Sequence, residues 1–78
     1  MISTKLLDLV AELLQVKAST LNGESQREQT PGWDSLMHCQ IMTEIEFEFD
    51  LDFSMDEMQN TTSLLAIQNL ITEKSNEA

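Results

Sequence analysis

A serine at the start of a strongly patterned helix is the residue in this sequence best suited to chemistry. Ser35 follows Asp34 and precedes Leu36, and apolar residues recur at helical spacing after it. No general base is paired with this serine, so the sequence does not predict a nucleophile. The free N–H groups and the positive dipole end of a helix N-terminus favour a bound phosphate instead. We therefore expect a serine that is modified, no catalytic residue and no enzyme activity.

A histidine one turn after the serine raises the alternative of an Asp-Ser-His hydrolase. His38 follows Ser35 by three residues. A catalytic triad also needs a group that orients the histidine and a preformed oxyanion hole, and the start of a helix supplies neither. Helical spacing places His38 beside the apolar face of the helix, so we expect it to be partly buried.

An acidic segment and a single cysteine could in principle form a metal site or a disulfide, but the sequence favours neither. The acidic alternation that begins at Asp50 is similar to the start of a calcium-binding loop. Such a loop needs glycine and glutamate where this chain has Met55 and Thr61. Cys39 is the only cysteine, which excludes an internal disulfide, and we expect it to be a packing residue.

Length, composition and charge indicate one small acidic domain. The chain has 78 residues, of which 41% are hydrophobic, and its net charge is −10. Residues 34–78 carry ten of the 14 acidic residues and a single base, Lys74. This charge repels nucleic acid and anionic lipid and attracts basic proteins. No segment approaches the roughly 20 apolar residues that span a membrane. We expect a cytoplasmic monomer that binds neither nucleic acid nor membrane.

The spacing of apolar residues predicts an all-α fold, a small bundle of three to four helices. The helices are expected at about 4–16, 35–49, 56–60 and 63–73, the third being short. Asp34 is the expected N-cap of the second helix. A long loop separates the first two helices, and we expect it to be an ordered crossover fixed by Leu21 and Trp33.

The second predicted helix has two nearly opposite faces that both carry apolar residues. One face should contribute to the core and consists of Ile41, Met42, Ile45 and Phe49. The other, the docking stripe, consists of Leu36, Gln40, Thr43 and Phe47, with Glu44 and Glu48 beside it. Either the crossover covers this stripe or another protein contacts it. The neighbouring acids favour docking, because charge accelerates the encounter and apolar contacts hold the partner.

The Asp34-Ser35-Leu36 triplet opens the second helix, and the end of that helix is acidic. The connector around Phe53, the Thr61-Thr62-Ser63 lead-in and the last helix follow. In these features, over nearly its whole length and most densely from Trp33 to Ile71, the chain resembles the acyl carrier proteins. The triplet alone is a weak signal, but it becomes strong in a chain of this length, charge balance and helix order.

The resemblance implies a covalent cofactor and a set of partner enzymes. A phosphopantetheinyl transferase would attach 4'-phosphopantetheine from coenzyme A to Ser35, within the motif that Asp34 and Leu36 complete. The thiol of the arm would hold an acyl group as a thioester and present it to acyl-loading and acyl-processing enzymes with basic docking surfaces. The docking residues that the resemblance implies are Leu36, Met37, Gln40, Thr43, Glu44, Phe47 and Glu48. Two alternatives stay open, an aminoacyl or peptidyl carrier and an acidic helical adaptor that carries no group.

Several positions depart from the pattern of carriers that serve fatty-acid synthesis. Trp33 and Met37 stand where many such carriers have a small residue and an acid, respectively. Gln40 and Phe47 stand where acids are common, and Ser54 replaces a proline often found in the connector. These departures favour a carrier dedicated to one pathway, such as a polyketide, modified-sugar, lipid or aminoacyl route.

Overall fold

The computed structural model describes residues 2–75 and contains four α-helices in that part of the chain. The helices are α1 (Thr4–Leu14), α2 (Ser35–Phe49), α3 (Met55–Asn60) and α4 (Leu64–Ser75). Two short 3-10 turns, Ala18–Thr20 and Arg27–Gln29, lie in the crossover between α1 and α2. The prediction of a small all-α bundle with a long first loop is confirmed.

Helix α1 ends two residues before the expected end near Val16. Ser3 caps its N-terminus, where the hydroxyl accepts a hydrogen bond from the Leu6 N–H at 3.2 Å. At the C-terminus Gln15 adopts a left-handed conformation with φ of 60°. The Val16 N–H then donates to the Ala11 carbonyl at 3.0 Å, which closes the helix instead of extending it. The apolar spacing in the sequence continues to Val16, but the helical backbone conformation ends at Gln15.

The core lies between α1, α2 and α4, and the crossover completes it. Its fully buried large side chains are Leu6, Val10, Ile41, Met42, Ile45, Leu64 and Ile67. Burial of each such side chain contributes about 1.5–3 kcal/mol. Leu21 and Trp33 from the crossover are buried as well, so the prediction that these two residues fix an ordered loop is confirmed.

Backbone hydrogen bonds join the crossover to the start of α4. The Arg27 N–H donates to the Thr62 carbonyl at 2.9 Å, and the Leu64 N–H donates to the Ser25 carbonyl at 3.0 Å. A turn at Asn22, whose carbonyl accepts from the Ser25 N–H at 3.0 Å, shapes this part of the crossover. The loop therefore has fixed partners on a helix distant in sequence.

The end of α2 is defined by Asp50 and stabilised by Lys5. Asp50 has a φ of 55°, a left-handed conformation that stops the helix after Phe49. The Lys5 ammonium group lies 4.8 Å from the centre of the Phe49 ring and donates to the Glu48 carbonyl at 3.2 Å. The cation thus lies at the negative end of the α2 dipole and covers the last residue of the core face.

Side-chain contacts hold the short helix α3 between its neighbours. The Glu46 carboxylate accepts a hydrogen bond from the Phe53 N–H at 2.8 Å. Ser54 and Glu57 form a capping box, in which the Ser54 N–H donates to the Glu57 carboxylate at 2.8 Å. A proline in place of Ser54 would lack this N–H donor. Lys74 on α4 forms an ion pair with Glu57 at 3.0 Å.

Candidate functional site

Ser35 is the first residue of α2, and its side chain is exposed. Asp34 is the N-cap, as predicted, and its Oδ1 accepts a hydrogen bond from the Met37 N–H at 2.8 Å. Among residues 2–75 the N–H groups of Ser35 and Leu36 have no hydrogen-bond acceptor. The site therefore combines an accessible hydroxyl, two available donors and the positive end of a helix dipole.

A tight turn leads the chain from the crossover into α2. The Thr30 carbonyl accepts a hydrogen bond from the Trp33 N–H at 3.1 Å across Pro31 and Gly32. Gly32 has a φ of +84°, which L side chains rarely adopt, so the turn requires glycine at this position. Trp33 is only 2% exposed, whereas Ser35 lies on the surface two residues later.

An open recess of about 430 Å³ lies beside Ser35. Its lining residues are Arg27, Glu28, Thr30, Gly32, Trp33, Asp34 and Ser35. Arg27 is the only Lys or Arg between Lys17 and Lys74. Arg27 is half-buried, and in the described part of the chain its guanidinium forms no ion pair. Of the two carboxylates in the recess, that of Asp34 already accepts the helix N–H. Arg27 is thus a cation available to an anion in this recess.

His38 is more deeply buried than the sequence predicted, with 4% of its surface exposed. Its Nδ1 accepts a hydrogen bond from the Trp33 Nε1–H at 3.0 Å, and its Nε2 lies 2.7 Å from the Met58 carbonyl oxygen. Burial lowers the pKa of His38, the Met58 carbonyl opposes this shift, and the Arg27 charge adds to it. Because both nitrogens are engaged, the ring has no free acceptor for a proton from Ser35.

The docking stripe on α2 is exposed along its whole length. Leu36 is 76% exposed and Phe47 is 83% exposed, and the two polar residues between them, Gln40 and Thr43, are exposed as well. The crossover therefore does not cover this face, and that alternative is excluded. Large apolar side chains exposed on one face of a helix are typical of surfaces that contact other molecules.

Acidic side chains and a second recess lie beside the docking stripe. Glu44 and Glu48 are exposed, whereas Met37 is half-buried and packs against the core. A recess of about 300 Å³ is lined by Leu13, Leu36, Cys39, Gln40, Thr43 and Glu44. Cys39 is exposed there, so the prediction that it is a packing residue is wrong.

Comparison with models of known protein families gives no match for this chain. A search of curated proteins likewise finds no significant match. No helix within residues 2–75 is long and apolar enough to cross a membrane. In the same range no group of three or more His, Cys, Asp and Glu side chains is arranged to hold a metal ion.

Two residues at the site have contacts that the sequence did not predict. His38 precedes Ile41 and Met42 by three and four residues, so helical periodicity indicates its burial. Its bond to Trp33 depends on the turn before α2 and leaves no periodic signal. Arg27 carries one clue in the sequence, its isolation from other basic residues, but only the fold brings it beside Ser35.

Proposed function

We propose that this chain is a carrier protein that bears a 4'-phosphopantetheine arm on the hydroxyl of Ser35. The observation that carries this proposal is the position of Ser35, exposed at the first residue of α2 beside two available N–H groups. A phosphodiester at this hydroxyl would be stabilised by those donors and by the helix dipole. Arg27, which lines the same recess, supplies a positive charge for the anion.

The attachment is a phosphoryl transfer carried out by a separate phosphopantetheinyl transferase. The Ser35 hydroxyl oxygen attacks the phosphorus that bears the pantetheine group of coenzyme A. A new phosphorus–oxygen bond forms, and the adenosine bisphosphate half of coenzyme A leaves. The hydroxyl proton passes to a base on the transferase, because both ring nitrogens of His38 are already hydrogen bonded. The carrier contributes an accessible hydroxyl and a favourable electrostatic environment.

The arm ends in a thiol that holds the cargo as a thioester, and partner enzymes recognise the carrier through α2. In this proposal Leu36 and Phe47 supply the apolar contacts, since both are largely exposed. The adjacent carboxylates of Glu44 and Glu48 match basic surfaces on the partners. The apolar character of the stripe, with Phe47 where fatty-acid carriers commonly have an acid, supports a carrier dedicated to one biosynthetic pathway.

The exposure of the docking stripe also favours a second candidate function. An acidic helical adaptor would use the same stripe to bind a basic partner without carrying any group. The two functions differ at Ser35, which an adaptor would leave unmodified. Partner binding by an adaptor would be unchanged in Ser35→Ala, whereas a carrier would lose every step that needs the arm.

Mass spectrometry of the purified protein tests the carrier proposal. The protein is incubated with coenzyme A, Mg²⁺ and a broad-specificity phosphopantetheinyl transferase, and its intact mass is measured. We expect the wild type to gain one arm and Ser35→Ala to gain none. Ser19→Ala, which removes an exposed serine in the crossover, is the matched control and should gain one arm. The proposal would be refuted if the wild-type protein gained no mass, or if Ser35→Ala gained the mass of an arm.

A further inference from the structure

A buried histidine connects the turn before α2 to helix α3. The His38 ring lies between the Trp33 indole, from the crossover, and the Met58 carbonyl, on α3. The centroids of the indole and imidazole rings are 6.0 Å apart and their planes are inclined by 23°, so the hydrogen bond joins the two rings edge to edge. The bond to Trp33 is 3.0 Å long and the bond to Met58 is 2.7 Å long, and His38 is almost completely buried. Three segments of the chain therefore meet at one titratable side chain.

The two partners of the ring require one protonation state. The indole N–H of Trp33 can only donate, so the Nδ1 of His38 must be an unprotonated acceptor. The Met58 carbonyl can only accept, so the Nε2 of His38 must carry the hydrogen. The neutral tautomer protonated at Nε2 satisfies both bonds. Protonation at Nδ1 would bring two N–H groups face to face and leave a charge buried.

The charged groups around the ring reinforce the neutral state. Burial lowers the pKa of His38, and the positive charge of Arg27 in the crossover acts in the same direction. On α3, Asp56 is exposed, and the Glu57 carboxylate is engaged with Ser54 and Lys74. Asp34 lies one turn before His38 on the same helix, and its carboxylate accepts the Met37 N–H. Among residues 2–75 no carboxylate raises the pKa of His38.

We propose that His38 is a positioning residue that holds the segment from Trp33 to Ser35 against α3, and that protonation of its ring releases Trp33 while the helices remain folded. Trp33 immediately precedes the N-cap Asp34, so the position of its indole determines how the start of α2 emerges from the crossover. Protonation removes the Trp33 bond but keeps the Nε2–H that donates to Met58. The Trp33 indole in the crossover would therefore move away from His38, and the hydrogen bond between His38 and Met58 on α3 would remain.

The emission spectrum of Trp33 tests this proposal on the unmodified protein, because the chain contains no other tryptophan. We expect the emission maximum to move to longer wavelength between about pH 8 and about pH 5, with a midpoint below 6.5. Helical circular dichroism should stay constant over that interval. The emission maximum is the readout, since a nearby imidazolium also quenches indole intensity without any movement. His38→Gln, which cannot titrate, should show no shift.

Three outcomes of this titration would overturn the proposal. They are a constant emission maximum in the wild type, an equal shift in His38→Gln, and a shift that coincides with loss of helical circular dichroism. A second measurement needs no variant and decides the case if His38→Gln does not fold. Long-range proton–nitrogen NMR of the wild type near neutral pH should show His38 protonated at Nε2 only, and a dominant Nδ1–H tautomer would contradict the proposed contact. Neither experiment depends on whether Ser35 carries an arm.

Discussion

The chemistry proposed for Ser35 depends on its neighbours more than on the serine itself. An isolated serine hydroxyl is a weak nucleophile, and the one nearby imidazole is engaged on both sides by Trp33 and Met58. Asp34 fixes the start of the helix, so the hydroxyl and the two available N–H groups lie at one place. At the scale of residues, this arrangement suits a covalent anion better than it suits catalysis.

Arg27 offers a direct test of the electrostatics beside Ser35. Arg27→Gln should reduce kcat/KM for attachment of the arm roughly two- to fivefold, because a partly exposed charge contributes about 0.5–1 kcal/mol to an ionic contact. The measurement is a mass-spectrometric time course with the transferase. Lys17→Gln removes the same charge outside the recess and should leave the rate nearly unchanged. Equal losses in the two variants would show that only net charge matters.

The lowered pKa of His38 also predicts how stability depends on pH. As pH falls below 6.5, the unfolded chain binds a proton at His38 before the folded chain does. The free energy of unfolding should therefore decrease through the folded-state pKa, by about 1.4 kcal/mol for each unit of pKa difference. Denaturation with urea between about pH 7 and about pH 5 measures this change.

The matched variant for this pH dependence is His38→Gln. It should be less stable than the wild type near neutral pH, because Trp33 loses its acceptor, and it lacks the titration. The stability difference between the two proteins should shrink as the solution is acidified. A difference that stays constant with pH would contradict the neutral, hydrogen-bonded state of His38. Carboxylate titration is common to both proteins and cancels in the comparison.

Among the elements of the fold, α2 has two faces with different roles. Its buried face stabilises the bundle, and its exposed face is available to contact a partner. Ile41, Met42 and Ile45 are fully buried, whereas Leu36 and Phe47 are among the most exposed apolar side chains of the described chain. Substitutions on the exposed face should leave the bundle intact. Substitutions on the buried face should destabilise it by about 2–5 kcal/mol for truncation to alanine.

Phe47→Glu tests the exposed face. It should change the free energy of unfolding by less than about 0.5 kcal/mol, because the side chain makes few contacts. It should raise the KM of a phosphopantetheinyl transferase for this protein, because the proposed apolar contact is lost. Leu65→Glu introduces the same charge at an exposed apolar position on α4 and is the control. A large loss of stability in Phe47→Glu, or equal effects of both variants on KM, would contradict the docking assignment.

Sequence periodicity predicted the elements better than it predicted their ends and contacts. The bounds of α2 followed from strong local signals, the Asp34 cap and the acidic run that begins at Asp50. The end of α1 did not follow, since Gln15 turns left-handed where the apolar pattern continues. The link between Trp33 and His38 also could not be predicted, because it depends on the path of the crossover, which short-range spacing does not encode.

At the scale of the whole molecule, the charge of −10 opposes the compact fold. Eight of the 14 acids lie within residues 34–57, a segment that includes no Lys or Arg. In the described part of the chain, Lys74 and Glu57 form an ion pair, and Lys5 lies at the end of α2. These contacts neutralise a small part of the acidic surface, so repulsion between the remaining carboxylates should limit stability.

Added salt should therefore raise the melting temperature. Between about 0.01 M and about 0.15 M salt the screening length falls from roughly 30 Å to about 8 Å, which weakens repulsion between exposed carboxylates. The double variant Asp50→Asn, Asp52→Asn should show a smaller rise than the wild type. Asp8→Asn with Glu12→Gln removes two acids from α1 and should reduce the rise less. A melting temperature independent of salt would contradict the repulsion.

The intact mass of the protein purified from its own host is the sharpest test of attachment at Ser35. We expect a mass higher than that of the bare chain by one 4'-phosphopantetheine arm, with any further mass identifying the acyl or aminoacyl cargo. Fragmentation should locate the added group on Ser35. A mass equal to that of the unmodified chain, or an arm located on another residue, would contradict the assignment of Ser35 as the attachment site.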